Sequence, residues 1–165
     1  MTVKLLDELG PRAYARGVTD PGIPALLRAA RGAYGNAIRA NLAAGGFDDL
    51  PRNGPFILGG MANYEAPLGG LVRELGVSKQ AASQLVDTLV LRGYLERRTD
   101  EHDRRRMTVE LTERGRAAAE AVRAGVASID AELADALTGE QLAGLHAGLV
   151  ALTEIRERHE DAARS

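Results

Sequence analysis

Apolar residues recur every three or four positions through most of the chain, which is the spacing of one face of an α-helix. The first such stretch begins after Pro21-Gly22 and ends at Gly45-Gly46, two pairs of residues that break helices. Its apolar positions are Ile23, Leu26, Leu27, Ala30, Tyr34, Ile38 and Leu42. The pattern predicts a long helix whose apolar face needs a partner surface.

Two further helices are predicted at the C-terminal end. Thr112 can begin the first, whose apolar stripe is Val122, Val126, Ile129, Leu133 and Leu137. The second follows a capping box, Thr138-Gly-Glu-Gln141, and carries Leu142, Leu145, Leu149, Leu152 and Ile155. Together with the stripe of the first helix, these stripes present more apolar surface than one small domain can cover. We therefore expect them to pack against a second copy of the chain. A helical bundle within one chain is the alternative.

The middle of the chain predicts a helix-turn-helix. A short helix from Leu68 to Leu75 is stopped by Gly76, and Ser78 can cap the next helix by accepting a hydrogen bond from its first turn. The buried stripe of this second helix is Ala82, Leu85, Val86 and Leu89. Two helices joined by so short a glycine-containing turn form a helix-turn-helix, in which the second helix is the recognition helix.

After Gly93 the apolar period changes from 3.6 to 2, which indicates a β-hairpin. The inward positions are Leu95, Arg97, Met107, Val109 and Leu111. Residues 99–106 between the two strands are all polar and are numerous enough to project. The helix-turn-helix and this hairpin together predict a winged helix.

These segments resemble the MarR family of bacterial transcription regulators. The resemblance rests on Leu75-Gly-Val-Ser-Lys-Gln, Leu85-Val-Asp-Thr-Leu, Gly93-Tyr-Leu, and Asp103-Arg-Arg followed by Leu111-Thr-Glu-Arg-Gly115. It covers roughly fifty residues, and the last pair of motifs is its most specific part. It implies a winged helix that binds DNA and a dimer in which the terminal regions of the two subunits interleave. It does not identify a ligand.

The candidate DNA-binding residues lie on the recognition helix and on the wing. On the helix they are Ser78, Lys79, Gln80, Ser83 and Gln84, and the ordinary alternative is that such polar residues form only a solvated face. Their donors and amides are the groups that reach phosphates and base edges in the major groove. On the wing, Asp103 can hold Arg105 outward for the minor groove, as the resemblance also implies. Arg104 and Arg106 are then phosphate contacts.

A small-molecule effector site is a further hypothesis. Residues 56–62 predict a helix although Gly54, Gly59 and Gly60 weaken it. Close packing of helices is one explanation for these glycines. The other is a cavity beside Tyr64 for an effector, an aromatic one among the possibilities, with Tyr34, Gly59 and Tyr64 as candidate contacts.

Composition narrows the functional classes. The chain has no cysteine, so thiolate metal sites and thiol switches are excluded, and His102, His146 and His159 are too far apart for a local zinc site. We therefore expect no metal and no cofactor. Neither a phosphate loop nor a nucleophile motif is present, which argues against an enzyme. With no long apolar segment and no leader pattern, a cytoplasmic protein without membrane contact is expected.

The net charge of −2 at first argues against a polyanionic partner, but the charge is unevenly distributed. Residues 116–165 hold nine acidic and five basic residues, whereas arginines concentrate around the hairpin. The acidity therefore belongs to the C-terminal helices and leaves the predicted winged helix free to bind DNA.

The predicted fold is mainly α with a small β-hairpin wing (α+β), a winged helix-turn-helix with N- and C-terminal dimerisation helices. Residues 1–20 form an arm or short helix, 21–46 a dimerisation helix, 47–111 the DNA-binding domain, and 112–165 the long connecting helix and the C-terminal dimerisation helix. The predicted function is a homodimeric repressor that binds double-stranded DNA at a pseudo-palindromic operator and responds to a small molecule. The alternatives are a winged-helix module that binds another protein and a DNA-binding regulator without an effector.

Overall fold

The computed structural model describes residues 21–64, 66–99 and 107–164. In chain order, its elements are α1 (Ile23–Ala44), α2 (Gly54–Asn63), α3 (Leu68–Glu74), α4 (Lys79–Leu91), β1 (Leu95–Thr99), β2 (Met107–Leu111), α5 (Glu113–Ala136) and α6 (Gly139–Arg164). The predicted mainly helical fold with a two-stranded hairpin is confirmed. The N-terminal arm predicted at residues 1–20 lies outside the described residues.

The chain folds as two compact units. One unit is Leu27–Ser128, which contains the helix-turn-helix and the hairpin. The other consists of the described residues before Leu27 and those from Ile129 onward. Helices α1 and α5 each have residues in both units.

The core of the Leu27–Ser128 unit is aliphatic, with one aromatic ring at its centre. Its largest fully buried side chains come from α2, α4 and the start of the wing: Tyr94, Ile57, Leu58, Leu89 and Leu95. Helix α5 adds Ala118, Ala119 and Val122. The small residues of α5 allow its backbone to approach the other elements closely, so this short chain can bury a core that contains few aromatic residues.

The turn of the helix-turn-helix forms as the sequence predicts. Gly76 has a φ of 63°, a left-handed conformation that favours glycine, and it follows the end of α3. The Ala81 N–H then donates to Ser78 Oγ at 3.2 Å, which satisfies one of the free donors at the start of α4. Local chemistry thus fixes where α3 stops and where the recognition helix, α4, begins.

The wing is an antiparallel hairpin whose register pairs Leu95 with Leu111 and Thr99 with Met107. Leu95 is 1% exposed, whereas its neighbour in the strand, Glu96, is half-buried. Leu95, Val109 and Leu111 pack on the core, whereas Arg97 to Thr99 are exposed, so only the base of the hairpin is buried.

Two glycines of α2 lie where neighbouring elements come close. A Cβ on Gly60 would lie 2.4 Å from Leu71 Cδ2, and one on Gly59 would lie 3.4 Å from Val122 Cγ1. Close packing therefore accounts for Gly60, whereas a Cβ on Gly59 would make an ordinary contact. Tyr64 is 81% exposed, and Tyr34 is half-buried. An effector site at Tyr34, Gly59 or Tyr64 stays a prediction.

Helix α6 begins at the predicted capping box. The Thr138 N–H donates to Gln141 Oε1 at 2.9 Å, and the Gln141 N–H donates to Thr138 Oγ1 at 3.3 Å. Along the rest of the helix the apolar stripe stays accessible: Leu145, Leu149, Leu152 and Ile155 are 39–42% exposed. None of the helices in the described part combines the length and the apolar character needed to cross a bilayer.

Candidate nucleic-acid interface

One side of the recognition helix α4 packs against the core, and the other side is exposed to solvent. Ala82 is 6% exposed and Leu89 is fully buried, so this side of the helix is fixed against the core. The predicted DNA-binding residues of the helix are all exposed: Ser78, Lys79, Gln80, Ser83 and Gln84. Although Ser78 Oγ accepts the capping hydrogen bond, its hydroxyl hydrogen can still be donated outward. The structure therefore gathers five polar residues on a single rigid surface.

The only acidic residue of α4 is paired. Asp87 Oδ1 accepts a hydrogen bond from Arg97 Nη2 of strand β1. Their side chains are 54% and 48% exposed, respectively. The pair neutralises a negative charge that would otherwise repel a polyanion approaching this helix.

A shallow open groove of about 340 Å³ runs between α3, α4 and β1. It is lined by Leu68, Gly69, Val72, Lys79, Ala82, Ser83, Val86 and Arg97. Its floor is apolar, whereas Lys79, Ser83 and Arg97 supply its polar groups. Two of the predicted recognition residues therefore share one groove with an arginine of the wing.

The described part of the wing carries a second group of charges. Arg98 Nη2 donates to Glu96 Oε1 at 2.7 Å, and Arg98 Nε lies 3.5 Å from Glu110 Oε2. The predicted wing-tip residues Asp103, Arg104, Arg105 and Arg106 lie outside the described residues. Their roles on DNA stay predictions.

A polar cluster that the sequence did not reveal supports the base of the wing. Tyr94, which is fully buried, donates a hydrogen bond from its hydroxyl to Asp49 Oδ1, and Arg114 Nη2 donates to the same oxygen at 2.9 Å. The Arg114 guanidinium carbon also lies 4.5 Å from the centre of the Tyr94 ring, and its Nη1 donates to the Arg92 carbonyl at 3.0 Å. One arginine thus connects the turn before α2, the end of α4 and the first turn of α5.

The cluster shifts two ionisation equilibria in opposite directions. The hydrogen bond from Tyr94, together with the charge of Arg114, holds the pKa of Asp49 below its usual value. Burial, reinforced by the hydrogen bond to Asp49, raises the pKa of Tyr94 to about 12. Around neutral pH the carboxylate is therefore charged and the phenol is protonated, which is the state that their hydrogen bond requires.

We expect the free energy of unfolding of the Tyr94→Phe variant to depend less on alkaline pH than that of the parent. Because the pKa of Tyr94 is about 12 in the folded state and about 10 unfolded, its contribution is complete below pH 10 and is lost as pH rises towards 12. The free energy of unfolding of the parent should therefore fall by on the order of 2–3 kcal/mol more than that of the variant across this range. Urea unfolding at a series of pH values measures the difference. Parallel curves for the two proteins would contradict the assignment.

The helix-turn-helix and part of the wing match a model of a known protein family. The model for the MarR family matches residues 49–106, which run from the turn before α2 through the helix-turn-helix and into the wing. The segment that carries the helix-turn-helix therefore matches the MarR family. The resemblance seen in the sequence is thereby confirmed. A search of the curated proteins found no significant match.

Solved structures share the fold of this chain. FabT from Streptococcus pneumoniae, solved in complex with DNA, is 22% identical, with a TM-score of 0.65 over 81% of this chain and 96% of that one. RV1404 from Mycobacterium tuberculosis is 26% identical, with a TM-score of 0.59 over 79% and 89%. CouR from Rhodococcus jostii RHA1, solved with p-coumaroyl-CoA, is 21% identical, with a TM-score of 0.61 over 83% and 94%. The similarity extends beyond the winged helix to most of each chain.

The match to the MarR family, together with solved structures of MarR-family regulators, supports a DNA-binding transcription regulator. Proteins of this family are generally not enzymes. In the part of the chain that the structure describes, no cluster of three or more histidine or acidic side chains could hold a metal ion.

Proposed function

We propose that the protein is a repressor that binds a pseudo-palindromic operator as a homodimer and leaves it when a small molecule binds. The observation that carries the proposal is the exposed polar side of α4, fixed against the core and joined to a hairpin, in the segment that matches the MarR family. The recognition helix and the wing are the two elements with which winged-helix proteins contact the major and minor grooves.

The residues of α4 supply both affinity and selectivity. Lys79 is a compact cation suited to a phosphate, since phosphate neutralisation provides most of the sequence-independent affinity for DNA. Gln80 and Gln84 carry amides that can bond adenine at two points in the major groove. Gln84 is exposed and lies one turn into α4, whose backbone is held against the core by Ala82 and Leu89, so its amide extends from a fixed position. Base recognition is therefore assigned first to Gln84.

The dimer follows from the apolar stripe of α6. Four large aliphatic side chains on a 26-residue helix remain about two-fifths exposed in a single chain. Burying them against a second copy would remove this apolar surface from water, which is the main driving force for association. Two copies related by a two-fold axis would present two recognition helices to successive major grooves, about 34–36 Å apart.

Release by a small molecule is proposed from two features. CouR, which shares the fold, was solved with p-coumaroyl-CoA, an aromatic acyl thioester. In this chain, Tyr34 and Tyr64 are both accessible and could stack on an aromatic effector. Aromatic acids are therefore the class to test first.

We expect Gln84→Ala to weaken operator binding by on the order of 1–3 kcal/mol, with a much smaller loss on random duplex, because a bidentate base contact discriminates between sequences. Arg105→Ala should instead weaken both duplexes alike, since the minor groove distinguishes A·T from G·C poorly. Fluorescence anisotropy with the DNA upstream of the coding region and with a shuffled duplex measures both variants. The titration repeated with aromatic acids tests release.

Two results would count against the proposal. If the parent showed no salt-dependent binding to either duplex, the fold would serve a protein partner, because loss of affinity with salt is the signature of phosphate contacts. If Gln84→Ala lost equal affinity on both duplexes, α4 would contact DNA without recognising its sequence. If aromatic acids had no effect on operator affinity, the protein would be a regulator that does not respond to this class of effector.

A further inference from the structure

Arg97 of β1 lies against the recognition helix, although it belongs to the wing. Its Nη2 donates to Asp87 on α4, and its side chain lines the same groove as Lys79 and Ser83. The groove floor is apolar, so the aliphatic part of Arg97 covers apolar surface while its guanidinium reaches the rim, as long basic side chains commonly do. The charge of Arg97 is therefore delivered to the edge of the recognition surface.

The next residue, Arg98, extends to the opposite side of the hairpin. Neighbouring residues in a strand point to opposite faces, and Arg98 contacts Glu96 at 2.7 Å and Glu110 at 3.5 Å. Arg97 shares its face with Leu95, which is fully buried against the core. Two adjacent arginines of equal charge thus have different surroundings, and only Arg97 lies beside α4.

We propose that Arg97 makes a further contact with DNA by binding a backbone phosphate next to the major groove that α4 enters. This inference rests on the proposed function. Two observations support this role: Arg97 lines a groove shared with two recognition residues, and its side chain remains 48% exposed. An ion pair between half-exposed side chains is weak, so a phosphate can compete with Asp87 for the guanidinium. Arginine also matches phosphate through two parallel hydrogen bonds.

The charge on Asp87 explains why the contact is organised in this way. Without DNA, Asp87 holds the Arg97 guanidinium beside α4 and limits the positions that this long side chain explores. With DNA, Arg97 lies between the carboxylate and the nearest phosphates and reduces their repulsion. The first strand of the wing would then belong to the DNA-binding surface together with the recognition helix.

The test compares Arg97→Gln with Arg98→Gln on random duplex over a series of salt concentrations. Each variant removes one positive charge from the same strand and keeps most of the aliphatic stem. We expect Arg97→Gln to weaken binding about tenfold at low salt and to flatten the slope of log affinity against log salt by about 0.9, because one phosphate contact is lost. Arg98→Gln should stay within about twofold of the parent and keep its slope. Arg97→Lys should keep the slope, since the charge remains.

Thermal unfolding of each variant confirms that the fold is intact, and Arg97→Lys serves in place of the glutamine variant if the latter does not fold. In that case an affinity reduced about threefold with an unchanged salt slope supports the contact, because lysine loses the second hydrogen bond to the phosphate, and an affinity equal to that of the parent overturns it. An Arg97→Gln protein with the affinity and slope of the parent overturns this inference alone and leaves the proposed function standing. Equal losses in the two glutamine variants also overturn it, since they would reflect net charge. A parent protein that does not bind duplex overturns both.

Discussion

Replacing Gly115 by alanine is expected to lower the free energy of unfolding by more than about 3 kcal/mol. A Cβ at this position would lie 2.0 Å from the Tyr94 carbonyl oxygen, a contact that only a shift of the backbone can relieve. That carbonyl is already fixed, because it accepts a hydrogen bond from the Thr112 N–H at 3.1 Å. Small domains are stable by only about 5–15 kcal/mol, so the variant would populate unfolded chains measurably.

Gly70 provides a matched control for Gly115. Each glycine is the third residue of its helix, Gly115 in α5 and Gly70 in α3, but a Cβ on Gly70 would meet no atom within 4 Å. Gly70→Ala should therefore leave stability unchanged or raise it by up to about 1 kcal/mol, the helix preference of alanine over glycine. Urea unfolding monitored by circular dichroism gives both values. Similar losses in the two variants would show that the close approach of Gly115 to Tyr94 does not limit the fold.

Replacing Leu145 and Leu149 together by glutamate is expected to convert the protein from a dimer to a monomer. In a single chain these leucines are 42% and 40% exposed, and the proposed dimer would bury them. Burying an unpaired carboxylate costs several kcal/mol. The cost of burying two of them on each subunit should therefore exceed the free energy of association of a helix pair. Light scattering after size-exclusion chromatography should then give half the mass of the parent.

The control for this prediction lies on the same helix. Ala147 and Ala151 are about 200° around the helix from Leu145 and Leu149, on the side that also carries Glu140 and Glu154. Ala147→Glu with Ala151→Glu adds the same charge to α6 but should leave the parent mass unchanged. A parent mass retained by the leucine variant, or a parent that is already monomeric, would rule out association through this stripe.

The sequence predicted the elements whose signals are local. Ser78 and Thr138 begin helices because a side-chain oxygen meets a free N–H within three residues, and Gly76 ends α3 through its own φ. Such features need no knowledge of distant residues. The exposed face of α4 could be predicted for the same reason, since the 3.6-residue period places Lys79, Gln80, Ser83 and Gln84 opposite the buried stripe.

The cluster around Tyr94 could not be predicted in this way. Asp49 is 45 residues from Tyr94 in the sequence, and Arg114 is 20 residues beyond it, so their contact depends on how α2, the wing and α5 pack. Each residue alone resembles ordinary polar surface. A partial signal was present, because Tyr94 is an aromatic residue at the entrance to a strand, where a buried hydroxyl requires a partner.

The pairing of Asp87 with Arg97 needed the tertiary structure for a similar reason. Period 2 placed Arg97 on the inward face of the wing with Leu95, an unusual place for a charge. The identity of its partner depends on how the hairpin lies along α4, and several acidic residues would have satisfied the sequence pattern equally. The pair that holds Arg97 beside α4 was therefore absent from the sequence prediction.

Arg114 also has an electrostatic consequence for a helix to which it does not belong. The last turn of α4 contains no basic residue, and the nearest cation in the chain is Arg92 at its C-cap. By donating to the Arg92 carbonyl, Arg114 brings a cation to that end, where such a charge typically contributes about 0.3–1 kcal/mol. Within α5 itself, a cation in the first turn opposes the helix dipole. The residue at position 114 is thus unfavourable for its own helix and favourable for the recognition helix.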